Sequence, residues 1–581
     1  MMLMMVLCAK MGWAQYYGIL VNGTTYYAAS HMDEQDTQGR EQYLAHVSVH
    51  SGDYLQLYDA EYKAAWAVDL DTWSVAGFTR NGDRYKATVT GCYDFYIKLK
   101  YEDDQLYIGA GSNCSTGENV NEVYTGSVPP QCEAILMQAF YNESYSATAA
   151  GVSEYGDTKW TTLTAQADTL GKYFDYIWLP PSAYGDGMGY HPMQYSNQNS
   201  NWGTRTELEA LISALHGAGA KVIADIVINH CAGWTTWCDF PTMDFDQYGV
   251  FYPDASWICS DDEVNKNPSA GDCYEAATGH PDDGENWDGA RDWSHDMVQV
   301  QNMFIAYLQW MRNVMHYDGF RYDKGDGFNN WHHWNYNKHA KPEIAFMESW
   351  NGDDEIIREI EQANRSLMAL DFQTKWDAIG GIAGFDYSKC QGSGLLGRGY
   401  AKYAVTFIDS HDGFLRDFEF SGTGNSMTPA LKDRLMQANA YILGMPGVPC
   451  VFYPHWQKYS ADIKPMIRAR RLAGIHTQSP VSDEQAEQGG YQCTLQGKYG
   501  WMVLQLGSKT THTGWGDSNY QLIASGPGYA MWVHRTAPMT TDFEEVTGDG
   551  LQVKGEKFIQ DGQLYIRVGD KTYDTMGKLI K

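Results

Sequence analysis

Three acidic residues at the ends of apolar runs, Asp323, Glu348 and Asp412, have the types and surroundings that cleavage of a glycosidic bond requires. That chemistry takes one ionised carboxylate and one protonated carboxylic acid, one on each side of the bond. Asp323 closes GFRYD (319–323), where Arg321 two residues earlier points to the same face of an extended strand and favours the ionised form. Glu348 lies in FMESW (346–350), after an apolar run whose burial favours the protonated acid. Asp412 ends FIDSHD (407–412) beside His411, a position suited to gripping sugar hydroxyls and stabilising a cationic transition state. A fourth string, DIVINH (225–230), adds His230 and Asp225, the latter read as support that caps its own loop or holds Arg321. Any one of these residues alone is a strand-end cap or a solvated loop side chain. Four strings in order, each after an apolar run, point to one site.

The elements that must position them are strands alternating with helices from residue 133 onward, a pattern that predicts a parallel sheet. Eight apolar runs qualify: 134–140, 176–181, 221–228, 319–323, 344–349, 366–372, 403–409 and 448–454. Between the second and third, Leu208, Leu211, Ile212 and Leu215 recur at helical spacing, Thr204 and Glu207 form a capping box, and Gly217 or Gly219 ends the helix. Eight such units predict a (β/α)8 TIM barrel, in which functional groups gather at the C-terminal strand ends. Residues 231–295, rich in Asp, Gly, Trp and Cys, interrupt the third unit and read as an insertion subdomain held by disulfides or a metal. The fold class is therefore α/β, flanked by an N-terminal β-sandwich and a C-terminal antiparallel β domain. The expected partition is 15–130 for the sandwich, 126–132 as its linker, 131–476 for the barrel, 477–536 for the C-terminal domain and 537–581 for an extra β element.

Composition narrows the partners. The formal charge of −30 repels nucleic acid and anionic membranes. Aromatic residues make up 14% of the chain, which suits sugars, whose flat C–H faces stack on rings; Trp66 and Trp73 either form such a surface or belong to the sandwich core. Residues 1–14 read as a signal peptide or as the start of a buried element. Cleavage there leaves ten cysteines, for which Cys231/Cys238, Cys259/Cys273 and Cys92/Cys114 are candidate disulfides suited to an oxidising compartment. No later run is long and apolar enough to span a membrane. The expectation is a secreted or cell-surface monomer.

The four strings, in this order, resemble the sequence regions of glycoside hydrolase family 13, the α-amylase family. ILMQAFYNES, YIWLPPSAYGDGMGYHP, ADIVINH and HPDDGENWDGARDW look most like plant-type α-amylases, and the resemblance covers about 133–536. It implies Asp323 as nucleophile, Glu348 as acid/base and Asp412 as transition-state stabiliser. It further implies that Tyr190, His230, Arg321 and His411 line the sugar at the cleaved bond and that Trp350 lies beyond it. It implies Ca2+ held by Asn229, Asp262, Asp282 and the Gly327 carbonyl, all oxygen ligands as calcium prefers; the acidic strings are otherwise plain loops. The implied activity is retaining endo-hydrolysis of α-1,4-glucosidic bonds in starch, glycogen or maltooligosaccharides. The same carboxylates also serve transglycosylases and enzymes that trim short maltooligosaccharides, while a catalytically inactive glucan-binding protein would be a different class. Two departures stand out: Lys324 directly follows Asp323, where the family carries its basic residue three positions on, and Ser410 replaces the usual Asn. The N-terminal sandwich resembles accessory starch-binding modules, and the last ~45 residues resemble C-terminal sorting tails of secreted bacterial proteins.

Overall fold

The computed structural model describes residues 17–535 and 556–574, apart from 33–34, 37, 60–63, 72–73, 101–103, 112–117, 120–125, 286, 414–430, 512–518, 561–562 and 569–570. At its centre eight parallel strands close into a barrel: β1 (Leu136–Gln138), β2 (Tyr176–Trp178), β3 (Lys221–Ile226), β4 (Gly319–Tyr322), β5 (Ile344–Met347), β6 (Met368–Leu370), β7 (Ala404–Phe407) and β8 (Val448–Phe452). Each lies inside one of the eight apolar runs, in the same order. The barrel is thus the expected (β/α)8 fold, closed where Cys450 of β8 pairs with Leu136 of β1. Both faces of β4, β5, β7 and β8 are buried, which is why these strands read as continuous apolar runs rather than alternating ones. The strands are shorter than the runs because the last residues of most runs leave the ladder at its C-terminal end, where the acidic side chains stand.

Helix α1 (Arg205–Gly217) follows β2 and buries Leu208, Leu211, Ile212 and Leu215. Its capping box is present: the Glu207 amide donates to Thr204 Oγ1, and Glu207 Oε2 accepts from the Thr204 amide at 2.8 Å. Of the two candidate terminators, Gly219 takes the left-handed conformation, with φ +89°. Further on, helices α2 (Asn330–Ala340), α3 (Asp353–Gln362) and α4 (Tyr453–Ala473) follow β4, β5 and β8.

The insertion has short 3-10 turns and a small core of its own, Ile258, Val264, Ala270, Cys273 and Ala277. It corrects the disulfide expectation. Cys238 bonds to Cys273, with Cα atoms 5.7 Å apart, while Cys231 and Cys259 are free and buried. Cys231 belongs to the barrel core and pairs in a two-residue ladder with Arg291, whereas Cys238 packs against the core of the insertion. Cys92 is disulfide-bonded; Cys114, its expected partner, lies outside the described residues.

Before the barrel, a seven-stranded and a five-stranded sheet share a core that includes Ile19, Val47, Leu57, Phe95 and Ile108, against which Trp66 packs. Trp73 and residues 1–16 lie outside the described residues. The segment 126–132 does not run free as a linker. The Ser127 carbonyl accepts from the Ala345 amide at 3.0 Å, Val128 joins the barrel core, and the Cys132 amide donates to Thr477 Oγ1 at 3.1 Å. After the barrel, strands between Val481 and Arg535 form a five-stranded antiparallel sheet, and Glu556–Asp574 a three-stranded one. No described helix is long and apolar enough to cross a membrane.

Candidate active site

Neighbouring strand ends bring the chemistry together. Asp225 of β3 pairs in register with Arg321 of β4, and Tyr322 of β4 with Met347 of β5, so Asp323 and Glu348 follow as the next residues on adjacent strands. The chain is pinned there: the Glu348 amide donates to the Tyr322 carbonyl at 2.9 Å and the Gly325 amide to the Glu348 carbonyl at 2.8 Å.

Arg321, 0% exposed, organises the cluster. One terminal nitrogen donates to Asp225 Oδ1 and Asp323 Oδ1, both at 2.7 Å, and the other donates to Glu348 Oε2 at 2.6 Å. A planar guanidinium suits this task because its donors are fixed in direction. Asp225 is also held by Tyr190 Oη at 2.8 Å and Trp178 Nε1 at 3.0 Å, which makes it the anchor of Arg321 and Tyr190. Burial pushes the Asp225 carboxyl up to about 6 against the pull of Arg321. Burial also drives Asp323 above the ordinary carboxylate range; Arg321 opposes this, while Glu348, Asp225 and Asp412 add to it. Three carboxylates thus share one guanidinium, an arrangement that holds them close together in a site with little water.

On the opposite wall His411 stacks on Tyr190, with ring centroids 4.9 Å apart and 7° between planes. Gln138 Nε2 donates to His411 Nδ1 at 2.8 Å, leaving the proton on Nε2, 3.3 Å from Asp412 Oδ2. His230 donates from Nε2 to the Tyr190 carbonyl at 2.8 Å, and burial pushes its pKa down to about 3, so it is neutral. Trp350 is 49% exposed and donates from Nε1 to Glu348 Oε1 at 2.9 Å, an open aromatic face beside the acid. All eight catalytic and sugar-contact candidates therefore fall within one contiguous network of hydrogen bonds, ion pairs and stacked rings. Residues not foreseen as part of it are Gln138, Trp178 and Trp287, whose ring lies 4.3 Å from that of His230. Gln138 and Trp178 lie on barrel strands, where a polar side chain or indole in an apolar run was the available signal.

The displaced basic residue has its own arrangement. Lys324 takes a left-handed backbone (φ +46°), and its ammonium donates to Glu285 at 2.7 Å and Asp326 at 3.0 Å. Asp326 fills the position where the resemblance expects Lys or Arg.

The four calcium candidates converge between the insertion and the barrel. Asn229 Oδ1 abuts Gly327 so closely that a Cβ on Gly327 would collide with it. Asp282 Oδ2 is buried with no hydrogen-bond partner, and burial pushes that carboxyl up to about 7. Asp262 is already engaged: it accepts from Arg291 Nε at 3.2 Å and from the Asp292 and Val264 amides, both at 2.8 Å. Asp292, not foreseen, accepts from Asn229 Nδ2 at 3.0 Å; burial first, then the charges of Asp282 and Asp262, push it up to about 9. Its signal was the last acid of HPDDGENWDGARDW. Crowded, buried carboxylates with an orphaned oxygen and an amide oxygen fit a hard dication.

Comparisons with known proteins point to one family. The model of the α-amylase catalytic domain matches residues 168–369. The probable α-amylase 2 of Arabidopsis thaliana is 28% identical over 400 residues, 64% of this chain and 90% of that one. The α-amylase type B isozyme of Hordeum vulgare is 31% identical over 131 residues, 22% of this chain and 78% of that one. A crystal structure of an Anoxybacillus α-amylase aligns with a TM-score of 0.50 at 14% identity, covering 71% of this chain and all of that one, a likeness of fold alone.

Proposed function

The chain belongs to the α-amylase family, glycoside hydrolase family 13, and we propose that it hydrolyses internal α-1,4-glucosidic bonds of starch-like glucans with retention of configuration. It is a glycoside hydrolase; the bond, the stereochemistry and the residue roles are our reading. The observation that carries it is the pairing of Asp323 and Glu348 on adjacent strands and on one guanidinium. Adjacent strands lie ~4.8 Å apart, which favours the ~5–5.5 Å carboxyl separation of retaining enzymes over the ~6.5–9.5 Å of inverting ones.

In this reading Asp323 attacks the anomeric carbon while Glu348 protonates the departing glycosidic oxygen, giving a covalent glycosyl–enzyme. Glu348, now ionised, takes a proton from water, which attacks the same carbon and frees Asp323. Asp412 and His411 grip the hydroxyls of the reacting sugar, and Tyr190 offers its ring face. His230 and Arg321 close the base of that site, and Trp350 receives the sugar on the leaving side. Ca2+ held by Asn229, Asp282, Asp292 and the Gly327 carbonyl, with Asp262 behind them, would supply charge neutralisation that ties the insertion to the barrel. Residues 15–130 then serve as an accessory glucan-binding module of a secreted enzyme, 131–476 as the catalytic unit with its insertion at 231–295, 477–536 as a β domain and 537–581 as a sorting element.

The test is NMR of fresh products from soluble starch. Oligosaccharides released first as α-anomers are expected. Release as β-anomers would overturn the Asp323–Glu348 pairing, and products longer than a supplied oligosaccharide would assign the chain to the transglycosylases.

A further inference from the structure

Behind the calcium candidates lies a second cluster that the proposed reaction does not use. Asp283, on the loop after His280, Asp296, just before the helix Val298–Asn313, and His332 of α2 bring one ligand atom each to within 4.8 Å of one another. Their side chains are almost completely buried. His332 Nε2 is 3.1 Å from Asp283 Oδ2 and 3.4 Å from Asp296 Oδ1.

Two explanations compete, and the distances separate them. A protonated imidazole between two carboxylates should draw each ion pair to ~2.7–2.9 Å, and its single Nε2–H can point at only one oxygen. Two donor atoms bound at ~2.1 Å to a tetrahedral ion, by contrast, are held about 3.4 Å apart. The 3.4 Å contact to Asp296 matches the second case, and the 3.1 Å contact to Asp283 lies between the two. Charge agrees: a single imidazolium leaves two buried carboxylates one charge in excess, whereas a dication neutralises both.

The surroundings have the features of a supported metal site. The Asn329 amide donates to Asp283 Oδ1 at 3.2 Å, which fixes that carboxylate's orientation. His295 and Phe328, stacked at 3.9 Å, and Tyr336 wall the cluster with rings. Asp283 also lines a cavity of about 360 Å³ bordered by Glu285, Asp326, Glu355 and Glu359, with Arg358 on its wall and Lys324 paired to Glu285 and Asp326. One imidazole among the donors selects against calcium and magnesium, which take oxygen alone, and for zinc-class ions.

We propose that Asp283, Asp296 and His332 bind a zinc-class divalent cation, with a fourth position left to water. The ion would rivet the loop at 283, the segment at 296 and helix α2, the same three stretches that flank Asp282, Asp292 and Gly327. The site needs no glucan and does not depend on the hydrolase reading.

The test uses full-length protein kept saturated with calcium and dialysed against low micromolar zinc. Uptake of about one zinc per chain is expected, with a raised Tm, and Co2+ in its place should show the visible bands of a four-coordinate site. His332→Gln and Asp296→Asn should each lower zinc affinity roughly tenfold or more while calcium content stays at its original level. If His332→Gln does not fold, Asp296→Asn alone decides. No zinc uptake, or uptake unchanged in the folded variants, overturns the proposal.

Discussion

Replacing Glu359 by Gln should stabilise the protein at pH 8 and do so less at pH 5.5. Glu359 of α3 is 2% exposed; Oε1 accepts from Asn351 Nδ2 at 3.0 Å and Oε2 has no partner. Burial, with a lesser push from Asp326, raises its pKa from 4.5 to about 7. The folded state thus holds on to a proton that the unfolded state releases between those values, so stability falls as pH rises through that window and the full penalty applies above it. At 1.36 kcal/mol per unit, ionisation costs the folded protein roughly 3 kcal/mol at pH 8 and roughly 1 kcal/mol at pH 5.5. Glutamine has nearly the same shape, keeps an acceptor toward Asn351 and cannot ionise. The orphaned position is common to both residues, so it cancels in the comparison between pH values. The gain from Glu359→Gln should therefore be about 2 kcal/mol larger at pH 8, read as a shift in the urea midpoint of the barrel transition with unchanged slope. A gain that is equal at the two pH values, or larger at pH 5.5, would refute the assignment of a buried, proton-retaining carboxyl.

Asp323→Asn should lower kcat by several orders of magnitude while starch binding, measured by affinity electrophoresis, persists; near-normal turnover would remove Asp323 from the nucleophile role. Chelation with EDTA should lower Tm, and calcium but not magnesium should restore it, because the ion binds the folded form alone; an unchanged melting curve would exclude the site at Asn229, Asp282 and Asp292. Cys238→Ser should destabilise the insertion by roughly 3–4 kcal/mol, the loop-closure value for a sequence separation of 35 residues. Limited proteolysis within 231–295 reads this directly, and unchanged resistance would mean the bond adds nothing.

The barrel was legible because its strands are buried on both faces, so apolar runs mark them without ambiguity, and because Thr204 and Glu207 announce a helix start by local chemistry. The acidic ends of those runs were legible for the same reason: a charge directly after a buried strand has few places to go but the barrel mouth. What escaped was whatever depends on the path of a loop. Cys231 and Cys238 are seven residues apart, yet the first is committed to the barrel core and the second crosses to Cys273. Asp292 reads as one acid among many in an acidic stretch; only the folded insertion brings it against Asn229. His332 is a polar residue in an otherwise ordinary helix, and nothing local distinguishes a side chain that meets Asp283 from one that faces solvent.

Strand order constrains the stereochemistry more tightly than any single distance. Asp323 and Glu348 follow register-paired residues of adjacent strands, whereas Asp412 follows β7, two strands from β5. One strand spacing of ~4.8 Å suits a nucleophile and its acid, while two spacings, ~9.6 Å, leave room for a water between carboxylates. Both reaction modes are therefore geometrically available to Glu348, with Asp323 as partner for retention and Asp412 for inversion. In the proposed reading the guanidinium of Arg321 favours the first. It donates to Asp323 and Glu348, while Asp412 Oδ2 lies 3.3 Å from His411 Nε2. Asp323 and Glu348 are thus held as a unit on one guanidinium, and in this reading Asp412 serves the sugar. In the proposed reading retention rests on Asp323 and Glu348 sharing the arginine, so a β-anomeric product would contradict the role of Arg321 before that of any carboxylate.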